Sequence, residues 1–179
     1  MKNLFIVFFC LVSVLAIKAN GQESLWKIQA VDYQGTYYGA AVANGGIGIL
    51  PWKEPFSVRH VMLNHVFDAA APQDVSRVLR GINPFNLQMQ IDGQGVSGDN
   101  ISGWRQCIDM KAATHDTHFT YGGKADISYS ICALRNMPYA GLVRVEVAAL
   151  EDMYLSVENP IEVPDEYKNP GSKQVSVNV

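Results

Sequence analysis

Apolar and polar residues alternate strictly along three stretches of the chain. Residues 85–91, 125–133 and 143–147 carry apolar side chains at every second position, with polar or small residues between them. Because successive side chains of a β-strand point to opposite faces, this period predicts strands with one face on a core. Weaker patterns of the same kind predict further strands at 26–31, 37–42, 58–67, 106–111 and 114–121.

Residues that favour turns separate these stretches. Glycine, asparagine and aspartate tolerate a positive φ, and proline restricts φ. They occur as Asn44-Gly45-Gly46, Asp92-Gly93, Tyr121-Gly122-Gly123 and Asn159-Pro160. Only 73–80, between Pro72 and Gly81, has the pattern of a short helix. Many short strands with at most one short helix predict an all-β fold, an antiparallel sandwich or barrel.

The first 21 residues have the pattern of a secretory signal peptide. Lys2 precedes an apolar stretch over 4–17, and Ala19-Asn20-Gly21 offers small residues for cleavage before Gln22. The apolar stretch is shorter than the roughly 20 residues that a membrane-spanning helix needs. We therefore expect an exported protein, periplasmic or extracellular, with no membrane attachment after the signal is removed.

Composition excludes some classes of partner. The full chain has 14 Lys and Arg against 17 Asp and Glu. Cleavage after Gly21 would remove Lys2 and Lys18 and no acid, which leaves a net charge of −5. An acidic domain lacks the basic surface that nucleic acid requires, so we expect no nucleic-acid partner.

Two cysteines follow the predicted signal, Cys107 and Cys132. An oxidising compartment would permit a disulfide between them, while two buried thiols are the alternative. The histidine pairs His115/His118 and His60/His65 have odd spacings, which place their side chains on opposite faces of an extended strand. We therefore predict no metal site, and no motif indicates a cofactor.

Three segments together resemble the N-terminal domain of glycoside hydrolase family 65. Ala43-Asn44-Gly45-Gly46-Ile47-Gly48 is similar to the family's Gly-Asn-Gly-aromatic-Leu-Gly turn, with Ala43 in place of glycine and Gly46 in place of the aromatic residue. Residues 104–111 resemble the family's Gln-x-Leu-Asp-Leu strand, and residues 127–146 resemble the paired strands that follow it. The resemblance covers about residues 24–165.

This resemblance implies a β-sandwich of the galactose-mutarotase-like type from an enzyme that hydrolyses or phosphorolyses α-glucosides. In that family a helical barrel after the sandwich carries the catalytic groups. We expect the present chain to stop before that barrel and to contain no catalytic residue. The expected organisation is a signal peptide at 1–21, a sandwich at 22–158 and a linker or frayed segment at 159–179.

Binding of a sugar would need aromatic faces and polar groups. Trp52 lies in a proline-flanked loop and Trp104 precedes a predicted strand, so both are candidates, and Tyr37 and Tyr38 follow them. Asn44 opens the segment 44–56, which we expect to form one rim of a sugar pocket. For Trp26 a core position is expected instead.

The acidic residues offer no clear catalytic pair. Glu54 lies beside Trp52, but a solvated loop position next to Lys53 is the more ordinary expectation. Asp109 lies among apolar residues and is expected to accept structural hydrogen bonds.

Two hypotheses follow. In the first, the chain is a sandwich domain that supports the catalytic barrel of an exported glycosidase or phosphorylase, its partner in the full-length enzyme. In the second, it is a stand-alone, non-catalytic carbohydrate-binding module. The first hypothesis also predicts an exposed apolar surface where the barrel would pack. The isolated chain should then tend to self-associate through that surface.

Overall fold

The computed structural model describes residues 24–68, 75–76, 78–165 and 175–177. These residues form strands and two short 3₁₀ turns, at Ser24–Trp26 and Gly98–Asn100. The strands are β1 (Lys27–Ala30), β2 (Val42–Ala43), β3 (Ile47–Pro51), β4 (Val58–Asp68), β5 (Val78–Arg80), β6 (Gln88–Ile91), β7 (Gln94–Gly95), β8 (Ile101–Asp109), β9 (Thr114–Tyr121), β10 (Ala125–Ala133), β11 (Gly141–Ala149), β12 (Leu155–Glu158) and β13 (Val175–Val177). The predicted all-β fold is confirmed.

The strands form three antiparallel sheets. The largest has the order β1-β8-β9-β10-β11, in which β8 to β11 follow one another as a meander. A second sheet has the order β13-β4-β3-β2, with β5 also paired to β4. A small third sheet has the order β12-β6-β7.

One core lies between the layers. The strand β10 buries every second residue from Ala125 to Ala133, as its alternation predicts. These side chains share a cluster with Ile49 of β3, Val61 of β4 and Met89 of β6. Because residues from all three sheets bury their apolar faces against each other, the arrangement is a sandwich.

Phe56, Phe119 and Tyr129 lie together inside this core. Phe56 is 4.7 Å from Tyr129 and 5.9 Å from Phe119, measured between ring centroids. Phe56 has a φ of 60° and belongs to the loop between β3 and β4. The core therefore holds the same loop that carries Trp52.

The turn at Asp92-Gly93 is as predicted. It joins β6 to β7 as a two-residue hairpin loop, in which both residues have positive φ, 51° and 78°. This backbone matches the right-handed twist of the flanking strands and suits an Asp-Gly pair.

Several sequence-based expectations were wrong. Val78–Arg80, the end of the predicted helix at 73–80, forms strand β5, while residues 73, 74 and 77 lie outside the described residues. In the predicted strand 37–42 only Val42 is paired with another strand, β3. Strand β3 itself was missed because its glycine interrupts the alternation of apolar and polar residues. Trp26 is 51% exposed rather than in the core.

The predicted signal peptide at 1–21 lies outside the described residues. In the predicted C-terminal segment, Asn83 and Glu162 exchange backbone hydrogen bonds of 2.8 and 2.9 Å, and β13 pairs with β4. These contacts hold described parts of that segment to the sandwich. The domain boundaries themselves stay predictions.

Candidate functional site

Four aromatic side chains form one cluster, called here the aromatic cluster: Tyr33, Tyr37, Trp52 and Trp104. Tyr37 contacts both tryptophans edge-on, with ring centroids 5.1 Å from Trp52 and 6.2 Å from Trp104. Tyr33 contacts Trp104 at 5.5 Å. The fold thus brings Trp52 and Trp104, which are far apart in the sequence, to one place.

The loop that carries Trp52 is tied down at several points. The Trp52 amide donates to the Ser57 carbonyl at 2.9 Å, and the Ser57 amide donates to the Glu54 carbonyl at 3.1 Å. Next to this turn, the Phe56 amide donates to the hydroxyl of the buried Tyr129 at 3.0 Å. A loop held by backbone bonds presents its tryptophan in one orientation, which lowers the entropy cost of binding.

Gln106 of β8 connects the Trp52 loop to the large sheet. Its Nε2 donates to the Trp52 carbonyl at 2.8 Å and to the Thr117 hydroxyl at 3.1 Å. Its Oε1 accepts a hydrogen bond from the Tyr37 hydroxyl. Gln106 is only 2% exposed, so this amide is a buried hub that fixes two members of the aromatic cluster.

Trp52 is half-buried and carries a cation on its ring. The Arg59 guanidinium lies 4.4 Å from the centroid of the Trp52 ring, a cation–π contact. Arg59 itself is exposed. The guanidinium occupies this face of the ring, and its exposed N–H groups are donors that hydroxyl groups of a sugar could accept from.

Trp104 occupies a different environment. It is 5% exposed and belongs to the core cluster. Its Nε1 has no hydrogen-bond partner among the described residues. Its buried ring therefore contacts Tyr33 and Tyr37 from within the core.

Asn44 lies in the turn between β2 and β3 and uses its side chain within the fold. Its Oδ1 accepts from the amides of Gly46 and Ile47, each at 2.9 Å. Its Nδ2 donates to the carbonyls of Leu134 at 2.6 Å and Met137 at 3.3 Å. Asn44 thereby fastens its own turn to the loop between β10 and β11. The predicted binding roles of Trp52, Trp104 and Asn44 stay predictions.

The tyrosines of the aromatic cluster stay protonated at neutral pH. Burial raises the pKa of Tyr37 to about 12. Burial also raises the pKa of Tyr33, and the carboxylate of Glu54 raises it further.

The Tyr33 hydroxyl lies where a Cβ at Gly98 would be only 1.8 Å away, so only glycine fits at position 98.

The remaining candidates have structural settings. Asp109 accepts from the amides of Lys111 and Ala112 at 3.0 and 2.9 Å and pairs with Lys27 at 3.4 Å, as expected for a structural carboxylate. Within the described part of the chain, Cys107 and Cys132 are both free thiols.

The described residues hold neither a metal-binding group of side chains nor a membrane-spanning helix. These residues contain no group of three or more His, Cys, Asp or Glu side chains that could hold a metal ion. They also contain no helix that is long and apolar enough to cross a membrane.

Sequence reasoning did not identify Tyr33, Arg59 or Gln106 as parts of this region. A signal existed for Gln106, because it occupies an inward position of β8, between Trp104 and Ile108, where a polar residue needs a partner. For Arg59 and Tyr33 the sequence offers no comparable signal, since only the fold brings them to the tryptophans.

Comparison with known proteins gives two clear relatives. The chain is 31% identical over 164 residues to a kojibiose hydrolase from Mucilaginibacter mallensis, which covers 91% of this chain and 24% of that enzyme. It is 32% identical over 145 residues to a kojibiose hydrolase from Flavobacterium johnsoniae, which covers 80% of this chain and 21% of that enzyme. No protein-family model matches the chain. The chain is thus related to one part of these glycoside hydrolases and spans less than a quarter of their length.

Proposed function

We propose that this chain is the N-terminal β-sandwich domain of an exported enzyme of glycoside hydrolase family 65 that hydrolyses α-linked glucosides. The observation that carries the proposal is the match of 91% of the chain to a kojibiose hydrolase. Kojibiose consists of two glucose units joined by an α linkage, so that relative supports α-glucosides as the proposed substrate class. Since both relatives are named as hydrolases, hydrolysis is favoured over phosphorolysis.

In this proposal the chain supplies support rather than catalytic groups. Acid and base carboxylates would come from the part of the enzyme that this chain does not match, here a catalytic barrel. The loop between β3 and β4 would form one rim of the sugar pocket. Its half-buried Trp52, with Arg59 4.4 Å from the ring, is the side chain best placed to meet the carbohydrate.

The β12 edge of the small sheet is the proposed contact with the barrel. Tyr154 is 87% exposed just before this strand, and Leu155 and Val157 within it are 45% and 48% exposed. Ile161, three residues beyond β12, is also 65% exposed. Exposed large apolar side chains, where they lie together, mark a surface that a partner covers. The isolated chain should therefore self-associate, and Leu155→Lys should reduce the association seen by light scattering.

A domain exchange tests the proposed function. The matched segment of the Mucilaginibacter mallensis enzyme is replaced by this chain, and release of glucose from kojibiose is measured. A folded chimera that hydrolyses kojibiose supports the proposal. Deletion of the segment without replacement is the control, and should abolish activity. A chimera that folds but is as inactive as the deletion would refute the assignment.

The stand-alone binding module remains the alternative. It predicts that the isolated chain is monomeric and binds α-glucosides without any help from a second domain. Equilibrium dialysis with radiolabelled kojibiose distinguishes the two, since a supporting domain should bind the disaccharide weakly or not at all. A dissociation constant in the micromolar range for the isolated monomer would favour the module.

A further inference from the structure

Strand β11 lies at an edge of the largest sheet, and one side of its backbone is unpaired among the described residues. Its nine residues, Gly141–Ala149, pair with β10 in one unbroken register. The other edge strands in the described part of the chain are shorter, with two to four residues each. Proteins usually protect such an edge with proline, lysine or a bulge, and β11 contains none of these. A further strand can therefore pair with it.

The hydrogen bonds to β10 show which backbone groups of β11 face the free side. Just before the strand, the Leu134 amide donates to the Ala140 carbonyl at 2.9 Å. Just after it, the Leu150 amide donates to the Lys124 carbonyl at 2.8 Å. Bonded and non-bonded pairs alternate along an antiparallel ladder, so the even-numbered residues of β11 bond to β10. The odd-numbered residues therefore point their amides and carbonyls to the free side.

The two faces of β11 differ in chemistry. Val143, Val145 and Val147 form its inner face and pack against the core, but they are only partly buried. The inner residues of the neighbouring strand β10 are buried. On the outer face, Arg144 and Glu146 form an ion pair, and their side chains are 72% and 60% exposed. The edge thus offers a partner a row of valines on one face and one charge of each sign on the other.

The charges on the outer face make this edge complementary to itself in one antiparallel register. With a two-fold axis at Val145, Arg144 of each copy lies opposite Glu146 of the other copy. A shift of two residues places Arg144 opposite Arg144 or, in the other direction, Glu146 opposite Glu146. Opposite charges across strands are stabilising and like charges are destabilising. A shift of one residue would turn the valines of one copy to the outer face.

The same register gives hydrogen-bond partners to the free backbone groups. It pairs Val143 with Val147, and Val145 with Val145 of the other copy. These are the residues whose amides and carbonyls face the free side, so each pair exchanges two hydrogen bonds. Arg144 and Glu146 then form pairs of the non-hydrogen-bonded kind, in which side chains come closest. Backbone, valines and charges are therefore all satisfied by one arrangement.

We infer that two copies of this chain associate through β11 into a two-fold dimer, in which the two large sheets join edge to edge. Each copy uses one edge around the axis, so the assembly closes at two copies. A single strand edge buries less than the roughly 1,200 Å² of a standard interface, so we expect a dissociation constant on the order of 10–100 μM. The inference goes beyond the proposed function, because it depends neither on hydrolysis nor on the proposed barrel contact at β12, which belongs to another sheet.

Sedimentation equilibrium of the purified chain tests this dimer in a Leu155→Lys background, which suppresses association through β12. Arg144→Glu should weaken the dimer about tenfold or more, because two attractive pairs become repulsive. Addition of Glu146→Arg to Arg144→Glu restores opposite charges in the same register and should restore the dimer. Arg105→Glu is the matched control, because Arg105 is also exposed but lies on β8, which has a strand on each side. It should leave the dissociation constant unchanged.

Hydrogen exchange locates the contact on the chain. The amides of Val143, Val145 and Val147 face the free side in the monomer and should exchange more slowly as the protein concentration rises through the dissociation constant. The amide of Arg144 bonds to β10 in the monomer already, so its exchange should depend much less on concentration.

Three results would overturn the inference. One is a monomer at concentrations well above 100 μM, on the order expected for dissociation. Another is a dimer that Arg144→Glu weakens no more than Arg105→Glu does, or that the double reversal fails to restore. The third is exchange of the valine amides that does not change with concentration, which would mean that β11 stays unpaired or that another segment covers it. Failure of the proposed hydrolysis would be seen separately in the chimera.

Discussion

Replacement of Gln106 by leucine tests whether one buried amide holds the Trp52 loop in place. Leucine has a similar size but no polar group, so the perturbation removes hydrogen bonds without opening a large cavity. The three bonds lost join Gln106 to the Trp52 carbonyl, the Thr117 hydroxyl and the Tyr37 hydroxyl. We expect the variant to fold with a lower free energy of unfolding.

The structure sets the size of this effect. A polar group left buried without a partner costs about 1–3 kcal/mol. Thr117 also bonds to Tyr129, so its hydroxyl is not left alone. The Tyr37 hydroxyl loses its acceptor inside the cluster. The expected loss for Gln106→Leu is therefore about 2–4 kcal/mol.

Guanidinium denaturation of four proteins measures the effect as a double-mutant cycle. Tyr37→Phe alone should cost about 1 kcal/mol, because Oε1 of Gln106 loses its donor. In the Gln106→Leu background the same change should be neutral or stabilising, because it removes the hydroxyl left without an acceptor, which gives a coupling of at least about 1 kcal/mol. Gln90→Leu on the exposed face of β6 is the control and should change stability by less than about 0.5 kcal/mol.

Two outcomes would refute this reasoning. One is a Gln106→Leu variant as stable as the Gln90→Leu control. The other is an additive cycle, in which Tyr37→Phe costs the same in both backgrounds. Either result would mean that the amide does not join the loop to the sheet in solution.

Three further predictions follow from other parts of the fold. Gly141→Ala places a Cβ 2.7 Å from the Phe85 ring, so overpacking should lower the free energy of unfolding by about 1–3 kcal/mol. Gly95 has open space around it, so Gly95→Ala should be neutral in the same denaturation assay. Acidification from about pH 7 to about pH 5 should lower the free energy of unfolding. Burial depresses the pKa of His115, so the unfolded chain binds the proton more readily than the folded chain. His115→Gln should therefore reduce the dependence of the free energy of unfolding on pH. Asn44→Ala should destabilise the fold by about 1–3 kcal/mol and speed hydrogen exchange at the two turn amides that its Oδ1 accepts from.

Each of these three predictions has an outcome that would contradict it. Equal stability of the Gly141 and Gly95 variants would place the Phe85 ring elsewhere. An unchanged pH slope in His115→Gln would mean that another group titrates in that window. If Asn44→Ala left the exchange rates as they were, its side chain would not hold the turn.

Strict alternation determined β10 and most of β11, whereas of the predicted strand 85–91 only Gln88–Ile91 is a strand. The pattern of β10, with apolar residues at every second position, has one arrangement that buries all of them, and the structure has that arrangement. The Asp92-Gly93 turn was equally predictable, because few other residue pairs adopt two consecutive positive φ values. Local sterics and a period of two suffice for such elements.

The elements that were missed depend on contacts from elsewhere. Strand β3 contains a glycine and a terminal proline, so its pairing with β2 and β4 makes it a strand. The segment at 78–80 has a helical pattern but is paired with β4, and tertiary context overrides such a weak preference. Trp26 was expected in the core, yet β1 is an edge strand whose end the second layer does not cover.

The candidate site belongs mostly to the tertiary structure. The sequence showed two tryptophans in separate segments, but it could not show that Tyr37 contacts both or that Gln106 bonds to the Trp52 loop. It also could not separate the half-buried Trp52 from the buried Trp104. The alternation of apolar and polar residues determines which face of a strand turns inward. It depends only on residues that are close together in the sequence. Which residues meet there, and where the interior stays open, depend on how the layers overlap, and no local pattern contains that information.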